Sequence, residues 1–315
     1  WFEGNDMEVT ALGGKGASLV TLHRAGFPVP PGFCVLAAGY RRFVQANGLQ
    51  PLLERLIETP DLRLPQVARE ACTPLTARLS EATLPRDLTE AITTAYQELH
   101  ARCAGDLVVA VRSSALSEDV GTASAAGVYE TYLNLRDATA VLDAVLRCYR
   151  SLWTPRAVQY RAFHGVNSAH EAMAVVVMQM VAADVSGVAF TVNPVTGDRG
   201  QITINASWGL GETIVSGRVT PDQFLVDKAS LRVVDREIAA KEVEVLPHPG
   251  GSGTVEAAVP AARALAPALA EDQLRELAQT CLRIEAHYGC PVDVEWAFAG
   301  GRLYVLQARP VTGVA

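Results

Sequence analysis

The apolar pattern of this chain changes period once, near residue 173, and that single change limits the folds open to it. Up to that point the pattern is mostly helical. The segment from Leu12 to Leu56 reads as a glycine-rich turn, a helix from Lys15 to Ala25, a PVPPGF break, a short strand from Phe33 to Leu36 and another helix. Residues 51–104 carry apolar positions at helical spacing, and Pro60, Pro65, Pro74 and Pro85 are expected to cut them into short helices. A strand from Leu107 to Val111, a second around Tyr129 to Leu135 and helices from Ala138 to His164 follow. From Met173 the chain turns to β-branched runs with turn signals, among them AVVVMQMVA, SGVAFTVN, GQITINASW, DQFLVD, VDVEWAF and RLYVLQARP. One longer amphipathic helix, Glu271 to Tyr288, interrupts them. Helices segregated from antiparallel strands imply an α+β fold. We divide it into a helical and mixed N-terminal lobe, 1–173, and a mainly antiparallel C-terminal lobe, 174–315. A length of 315 residues accommodates both.

Composition removes several function classes. The formal net charge is −7 and the basic residues are scattered, so the cationic stripe needed to bind a nucleic-acid backbone is absent. A few converging Lys and Arg side chains still suffice for a local phosphate pocket. The six cysteines are widely spaced with no C-x-x-C pair, which reads as reduced thiols rather than a zinc site or a disulfide framework. No apolar run approaches the roughly 18 residues of a membrane span, and the opening WFEGNDMEVT lacks the features of a signal peptide. A cytoplasmic protein without membrane or nucleic-acid partners is expected.

Four groups of residues could hold a nucleotide. The first is Leu12 to Ser18, LGGKGAS, where glycines surround Lys15 just before a helix. Glycines let backbone amides approach a phosphate, and the helix N-terminus and lysine add positive charge. A plain helix-entry turn fits the same residues equally well. The second is Val111-Arg112-Ser113-Ser114 at a strand end, where an arginine and two hydroxyls suit a bidentate grip on phosphate. A salt bridge from Arg112 to Glu118 or Asp119 is the alternative. Downstream, Gly127 offers a close approach and Thr131 a hydroxyl four residues on.

The third group is the closing hairpin, VDVEWAF, Gly300-Gly301, then LYVLQAR. Side chains alternate across a strand, so Asp293 and Glu295 share one face, as do Gln307 and Arg309. A three-residue loop pairing Ala299 with Leu303 sets Glu295 opposite Gln307 and Asp293 opposite Arg309. It leaves Trp296, Phe298, Tyr304 and Leu306 on the other face. A carboxylate beside an amide oxygen suits Mg²⁺ carrying phosphates, and the arginine can hold those phosphates. Surface strands also alternate charge for solubility alone. The fourth group is Gln179-Met180-Val181 at the lobe boundary, a strand that could present its backbone to an adenine edge or serve only as core.

Taken together and in order, these segments resemble the ATP-binding module of the pyruvate phosphate dikinase and phosphoenolpyruvate synthase family, with rifampicin phosphotransferases as the most similar branch. The strings GGKGASL, PVPPGF, VRSSALSED, AAGVYET, SGVAFTVNPVTGD, INASWGLGETIVSGRVTPD, VDVEW and LQARPVT stand in the family's order. The resemblance implies a two-lobed ATP-grasp-type fold. It implies that Lys15 and Arg112 grip phosphates and that Gly127 and Thr131 line the phosphate loop. Gln179, Met180 and Val181 would border the adenine, and Glu295, Gln307 and Arg309 would serve magnesium and the phosphate tail, with Glu295 and Gln307 as metal ligands. Lys15, Arg112 and Arg309 would be the catalytic charges. Glu212, Arg218 and Asp222 are expected near the cleft mouth. The chain departs from the family at Ala125 and Val128, where an aromatic residue and a glutamine are usual.

The family's reaction runs through a phosphohistidine on a swivelling domain and ends on a small-molecule acceptor held by a further domain. The six histidines, His23, His100, His164, His170, His248 and His287, lie outside a T-x-G-G-x-x-x-H-like context. The expected partners are therefore a histidine domain and an acceptor domain outside these residues, with ATP and Mg²⁺ as cofactors. The expected enzyme is an ATP-dependent dikinase that leaves AMP. Other readings are a stand-alone ATP-binding subunit of a phenylphosphate synthase-like system, an ADP-forming ATP-grasp ligase, and a non-catalytic nucleotide sensor.

Overall fold

A computed structural model describes residues 1–3, 9–103, 105–117, 128–215 and 217–311. The chain forms two compact units: Trp1–Val20 with Pro31–Gln179, and Thr21–Pro30 with Met180–Ala315. Each combines helices with an antiparallel sheet, as an α+β chain should.

The first unit contains α1 (Val9–Arg24, whose last turn belongs to the second unit), β1 (Gly32–Val35), α2 (Ala37–Ala46), α3 (Gln50–Ile57), α4 (Pro65–Glu81), α5 (Arg86–Arg102), β2 (Val109–Ala115), β3 (Thr131–Leu135), α6 (Ala138–Ser151), α7 (Pro155–Phe163) and β4 (Met173–Gln179). Its sheet runs β1-β4-β2-β3. One face, formed by Phe33, Val35, Val109, Val111, Val175 and Val177, is buried with residues of α2, α5 and α6 in one apolar cluster. The helices start where local chemistry dictates. The Asp137 side chain accepts from the Ala140 amide ahead of α6, and Thr154 accepts from the Ala157 amide ahead of α7. Pro74 does not cut the chain as expected. It lies within α4 on the exposed side, where the carbonyl it leaves unpaired can reach water. The strand beginning at Met173, with which the sequence division opens the second lobe, pairs with β1 and β2 in the first unit. Its near-continuous apolar run matches a strand buried on both faces.

The second unit contains β5 (Val185–Phe190), β6 (Gln201–Trp208), α8 (Glu212–Val215), β7 (Asp222–Asp227), β8 (Val233–Glu237), β9 (Val243–Pro247), β10 (Thr254–Ala258), α9 (Ala261–Ala264), α10 (Glu271–Tyr288), β11 (Val292–Ala299) and β12 (Arg302–Pro310). Six strands form an antiparallel sheet in the order β12-β11-β5-β6-β7-β8, and β9 and β10 form a separate ribbon. The register puts Val294, Trp296 and Phe298 on one face with Ala189, Gly187 and Val185 of β5. α10 packs on β11 and β12 and buries Leu277, Cys281 and Ile284. The segment Thr21–Pro30 joins the same unit: Phe27 meets His287 edge-on at 6.2 Å, and the Pro28 carbonyl accepts from the Val305 amide at 2.9 Å.

Candidate functional site

The glycine-rich segment is built into a helix rather than preceding one. Residues on both sides of Gly13 are helical, but Gly13 has φ 66° and ψ 174°, which breaks α1. At that break α1 lies against β2. A Cβ on Gly13 would collide with the Ser114 carbonyl, and one on Gly16 would sit 3.2 Å from Cys34 Sγ. The glycines thus allow close helix-to-strand packing, and the group left for a ligand is Lys15. Its ammonium donates to the Ser113 carbonyl at 3.2 Å.

Arg112 and the two serines lie inside β2 rather than in a loop beyond it. The sheet continues because both hydroxyls find partners: Ser113 Oγ donates to the Glu130 carbonyl at 2.8 Å, and Ser114 Oγ to the Leu12 carbonyl at 2.8 Å. Arg112 pairs directly with Thr131 of β3, so these two residues are cross-strand neighbours. Lys15, Arg112 and Thr131 therefore gather at one part of the first unit. Gly127, Ala125, Glu118 and Asp119 lie outside the described residues. The described C-terminal flank of that stretch is anchored by Tyr129, whose hydroxyl accepts from Arg161 Nη1 at 3.3 Å. Arg161 is fully buried, donates from Nε to Ser168 Oγ at 3.0 Å, and lies over the Trp153 ring at 4.9 Å. Val128 is half-buried.

In the second unit the hairpin carries the other group. Asp293 pairs with Arg309 and Glu295 with Gln307, the expected register. It is reached by a different route. The loop has two residues, Gly300 and Gly301, at φ 56° and 76°, so Ala299 faces Arg302. A bulge between Glu295 and Trp296, with Leu306 as the extra residue on β12, then restores the pairing. The faces change accordingly. Trp296 and Phe298 pack with Val305 and Leu303, not with Tyr304 and Leu306, and Tyr304 lies on the Glu295 side opposite Ala297.

The polar face is electrostatically organised. Arg309 donates from Nε and Nη2 to a single oxygen of Asp293, at 3.0 and 2.9 Å, and the other oxygen, Oδ1, is buried without a partner. Burial pushes the Asp293 carboxyl above its usual range; Arg309 opposes that rise and Glu295 adds to it. The cross-strand register extends the Glu295 row through Val188 to Asn205 and Gln223, and the Asp293 row through Phe190 to Thr203, whose hydroxyl is also buried and unpaired. Among the described residues no three His, Cys, Asp or Glu side chains gather to hold a metal by themselves. One carboxylate and one amide oxygen with an orphaned carboxylate oxygen beside them is instead a donor set for a hard cation that takes its remaining ligands from phosphate and water. The residues present therefore fit Mg²⁺ carried with a nucleotide.

The remaining expected residues are distributed as follows. Gln179 ends β4 with its amide donating to the Pro31 carbonyl at 2.9 Å, and Met180 and Val181, both half-buried, form the extended connection after it. Glu212 accepts from Thr254 at 2.9 Å, and Arg218 reaches Glu256 at 2.7 Å, so both engage the β9–β10 ribbon. Asp222 is not at a surface. It is fully buried, ion-paired with the fully buried Lys241, and accepts from the Ala239 and Ala268 amides at 3.0 and 2.7 Å, a structural staple rather than a cleft-mouth residue. Of the histidines, five are exposed and His23 is half-buried. The sequence marks Ser114 only as a hydroxyl for phosphate, whereas its hydroxyl bonds to the backbone of Leu12 and Gly16; Arg161 is marked by contact geometry alone. Sequence reasoning noted Asp293 but gave it no role, although its alternation with Glu295 was the available signal.

Comparison with known proteins places the chain in a family. Residues 9–315 match the family described as pyruvate phosphate dikinase, AMP/ATP-binding domain. The chain is 43% identical to a probable phosphoenolpyruvate synthase of Methanocaldococcus jannaschii, over 98% of this chain and 26% of that protein. It is 39% identical to the phosphoenolpyruvate synthase of Pyrococcus furiosus, over 99% of this chain and 43% of that protein. It is 42% identical to a rifampicin phosphotransferase of Streptomyces sviceus, over 98% of this chain and 35% of that protein. The chain thus spans less than half the length of these relatives, and these identities do not separate the two kinds of enzyme. No helix among the described residues is long and apolar enough to cross a membrane. With the match running from the first helix to the closing strand, the chain belongs to the pyruvate phosphate dikinase AMP/ATP-binding domain family.

Proposed function

We propose that this chain is the Mg-ATP-binding module of a dikinase-type phosphotransferase of the phosphoenolpyruvate synthase or rifampicin phosphotransferase kind. It passes the β-phosphoryl group of ATP to a histidine outside these 315 residues; AMP leaves, and water takes up the γ-phosphoryl group as free phosphate. The observation that carries the reading is the hairpin face on which Glu295 pairs with Gln307 beside an Arg309 held by Asp293, in a chain of an ATP-binding family. The two units are ATP-grasp-type lobes in this reading, with the first gripping phosphates and the second supplying the metal ligands.

Each residue has a role. Lys15 and Arg112 neutralise phosphate oxygens, and Arg112 does so as a fork on a rigid strand. Thr131 and Gly127 line the phosphate loop, and Gln179, Met180 and Val181 border the adenine. Glu295 and Gln307 would hold Mg²⁺, which would supply positive charge to neutralise phosphate oxygens. Arg309 holds the phosphate tail. Catalysis of this kind is positioning and charge neutralisation while an imidazole attacks phosphorus. The histidine domain and the acceptor-binding domain are partners on the same polypeptide or on another, and the final acceptor is a small molecule.

The test supplies a histidine domain from one of the longer relatives together with ATP labelled at either the β- or the γ-phosphorus. Label from the β-position on the histidine, with AMP released, is expected. Release of ADP would sink the reading.

A further inference from the structure

We propose that the Ser114 hydroxyl is the positioning group that fixes Lys15 beside Arg112. It does so by inserting into the helical hydrogen bond that the Gly13 break opens. In an unbroken helix the Leu12 carbonyl would accept from the Gly16 amide four residues on. The Gly13 conformation separates them, and both groups are buried with Leu12 and Gly16. A buried amide and carbonyl left unpaired would each cost free energy. Ser114 Oγ satisfies both at once, donating to the Leu12 carbonyl at 2.8 Å and accepting from the Gly16 amide at 3.1 Å. Ser114 is itself fully buried, so no water competes for the position.

The consequence reaches the ligand group through the backbone. Lys15 lies between the two ends of the opened bond, and its ammonium meets the Ser113 carbonyl, one residue past Arg112. The hydroxyl therefore ties the helix carrying Lys15 to the strand carrying Arg112. Without it, the Leu12 carbonyl and Gly16 amide regain their partners only by re-forming the helical bond, which straightens α1 and turns Lys15 away from β2. Gly13 completes the device, because any Cβ there meets the Ser114 carbonyl. Ser114 acts through Lys15 and touches no ligand itself.

The inference rests on Lys15 being a phosphate ligand, so the experiment separates the two claims. Mg-ATP affinity is measured by titration calorimetry on the full chain and on Ser114→Ala, Lys15→Ala and the double variant. Ser151→Ala serves as control, since it removes a buried hydroxyl that donates to the Cys148 carbonyl at 2.8 Å, within α6. Ser114→Ala should weaken binding on the order of tenfold, and the double variant should be no weaker than Lys15→Ala by more than about twofold. Ser151→Ala should lower thermal stability and leave affinity at the wild-type value. Ser114→Cys keeps a donor and acceptor at that position, though a larger and weaker one, and should give an intermediate loss, which preserves the test if Ser114→Ala does not fold. Two results overturn the inference while leaving the binding-site reading intact: a weakened Lys15→Ala beside an unaffected Ser114→Ala or Ser114→Cys, or a double variant whose loss is the product of the two. An unaffected Lys15→Ala removes both.

Discussion

Arg309 reaches one carboxylate oxygen of Asp293 with two of its nitrogens, Nε at 3.0 Å and Nη2 at 2.9 Å, across the hairpin that closes the chain. The pair is only partly open to water, with side-chain exposures of 32% and 12%. Asp293 therefore sets the direction in which Arg309 points. Asp293→Ala should leave Arg309 without its carboxylate, cost about 1–3 kcal/mol of stability and weaken Mg-ATP binding. Asp293→Asn keeps the shape with one weaker acceptor and should lose less of both. Denaturant unfolding and calorimetry on the two variants check this, and an Asp293→Ala variant that binds as the wild type does would remove Asp293 from the site.

The Asp222–Lys241 pair has a different character. Both side chains are fully buried, and the carboxylate also accepts from the Ala239 and Ala268 amides. Removing one charge from such a pair leaves the other uncompensated, so Lys241→Ala should destabilise the chain by about 3–5 kcal/mol. Urea unfolding measures it. A matched apolar replacement of both residues should recover only part of the loss, because the two amides would remain unsatisfied.

The thiols of Cys34, Cys72 and Cys281 should react slowly in the native protein. Burial pushes Cys34 and Cys281 up to about 12 and Cys72 up to about 11. Raised values keep these groups protonated, and the thiolate is the reactive form. Between about pH 7 and 9 the thiolate should therefore stay a small minority at these three positions, and alkylation slow, since the window lies below their folded values. The half-exposed Cys290 should label first. Mass spectrometry after brief treatment with iodoacetamide checks the order, and early labelling of Cys281 would contradict the packing of α10.

What the sequence disclosed followed the physics of each element. α10 was legible to its ends because its apolar stripe runs unbroken from Leu274 to Ile284. The pairing of Glu295 with Gln307 was legible from alternation, yet the assumed loop was one residue too long and the bulge at Leu306 was unseen. The two errors cancelled, because a strand register depends only on the sum of loop and bulge. β9 and β10 were missed because their residues show little burial alternation. Arg112 was read as following its strand, since a charged residue among valines resembles a strand end; the sheet instead continues with that side chain on its second face. Ser114 was legible as a hydroxyl beside Arg112, but its bonds to Leu12 and Gly16 were not, as they join residues about a hundred positions apart.

Titration of the full chain with Mg-ATP, beside Lys15→Ala, Arg112→Ala and Glu295→Ala, bears most directly on the claim that these residues bind the nucleotide. The wild type should bind saturably at one site, each variant should bind at least about tenfold more weakly, and Glu295→Ala should lose the magnesium dependence of binding. Unaltered Mg-ATP affinity in all three variants would contradict the site.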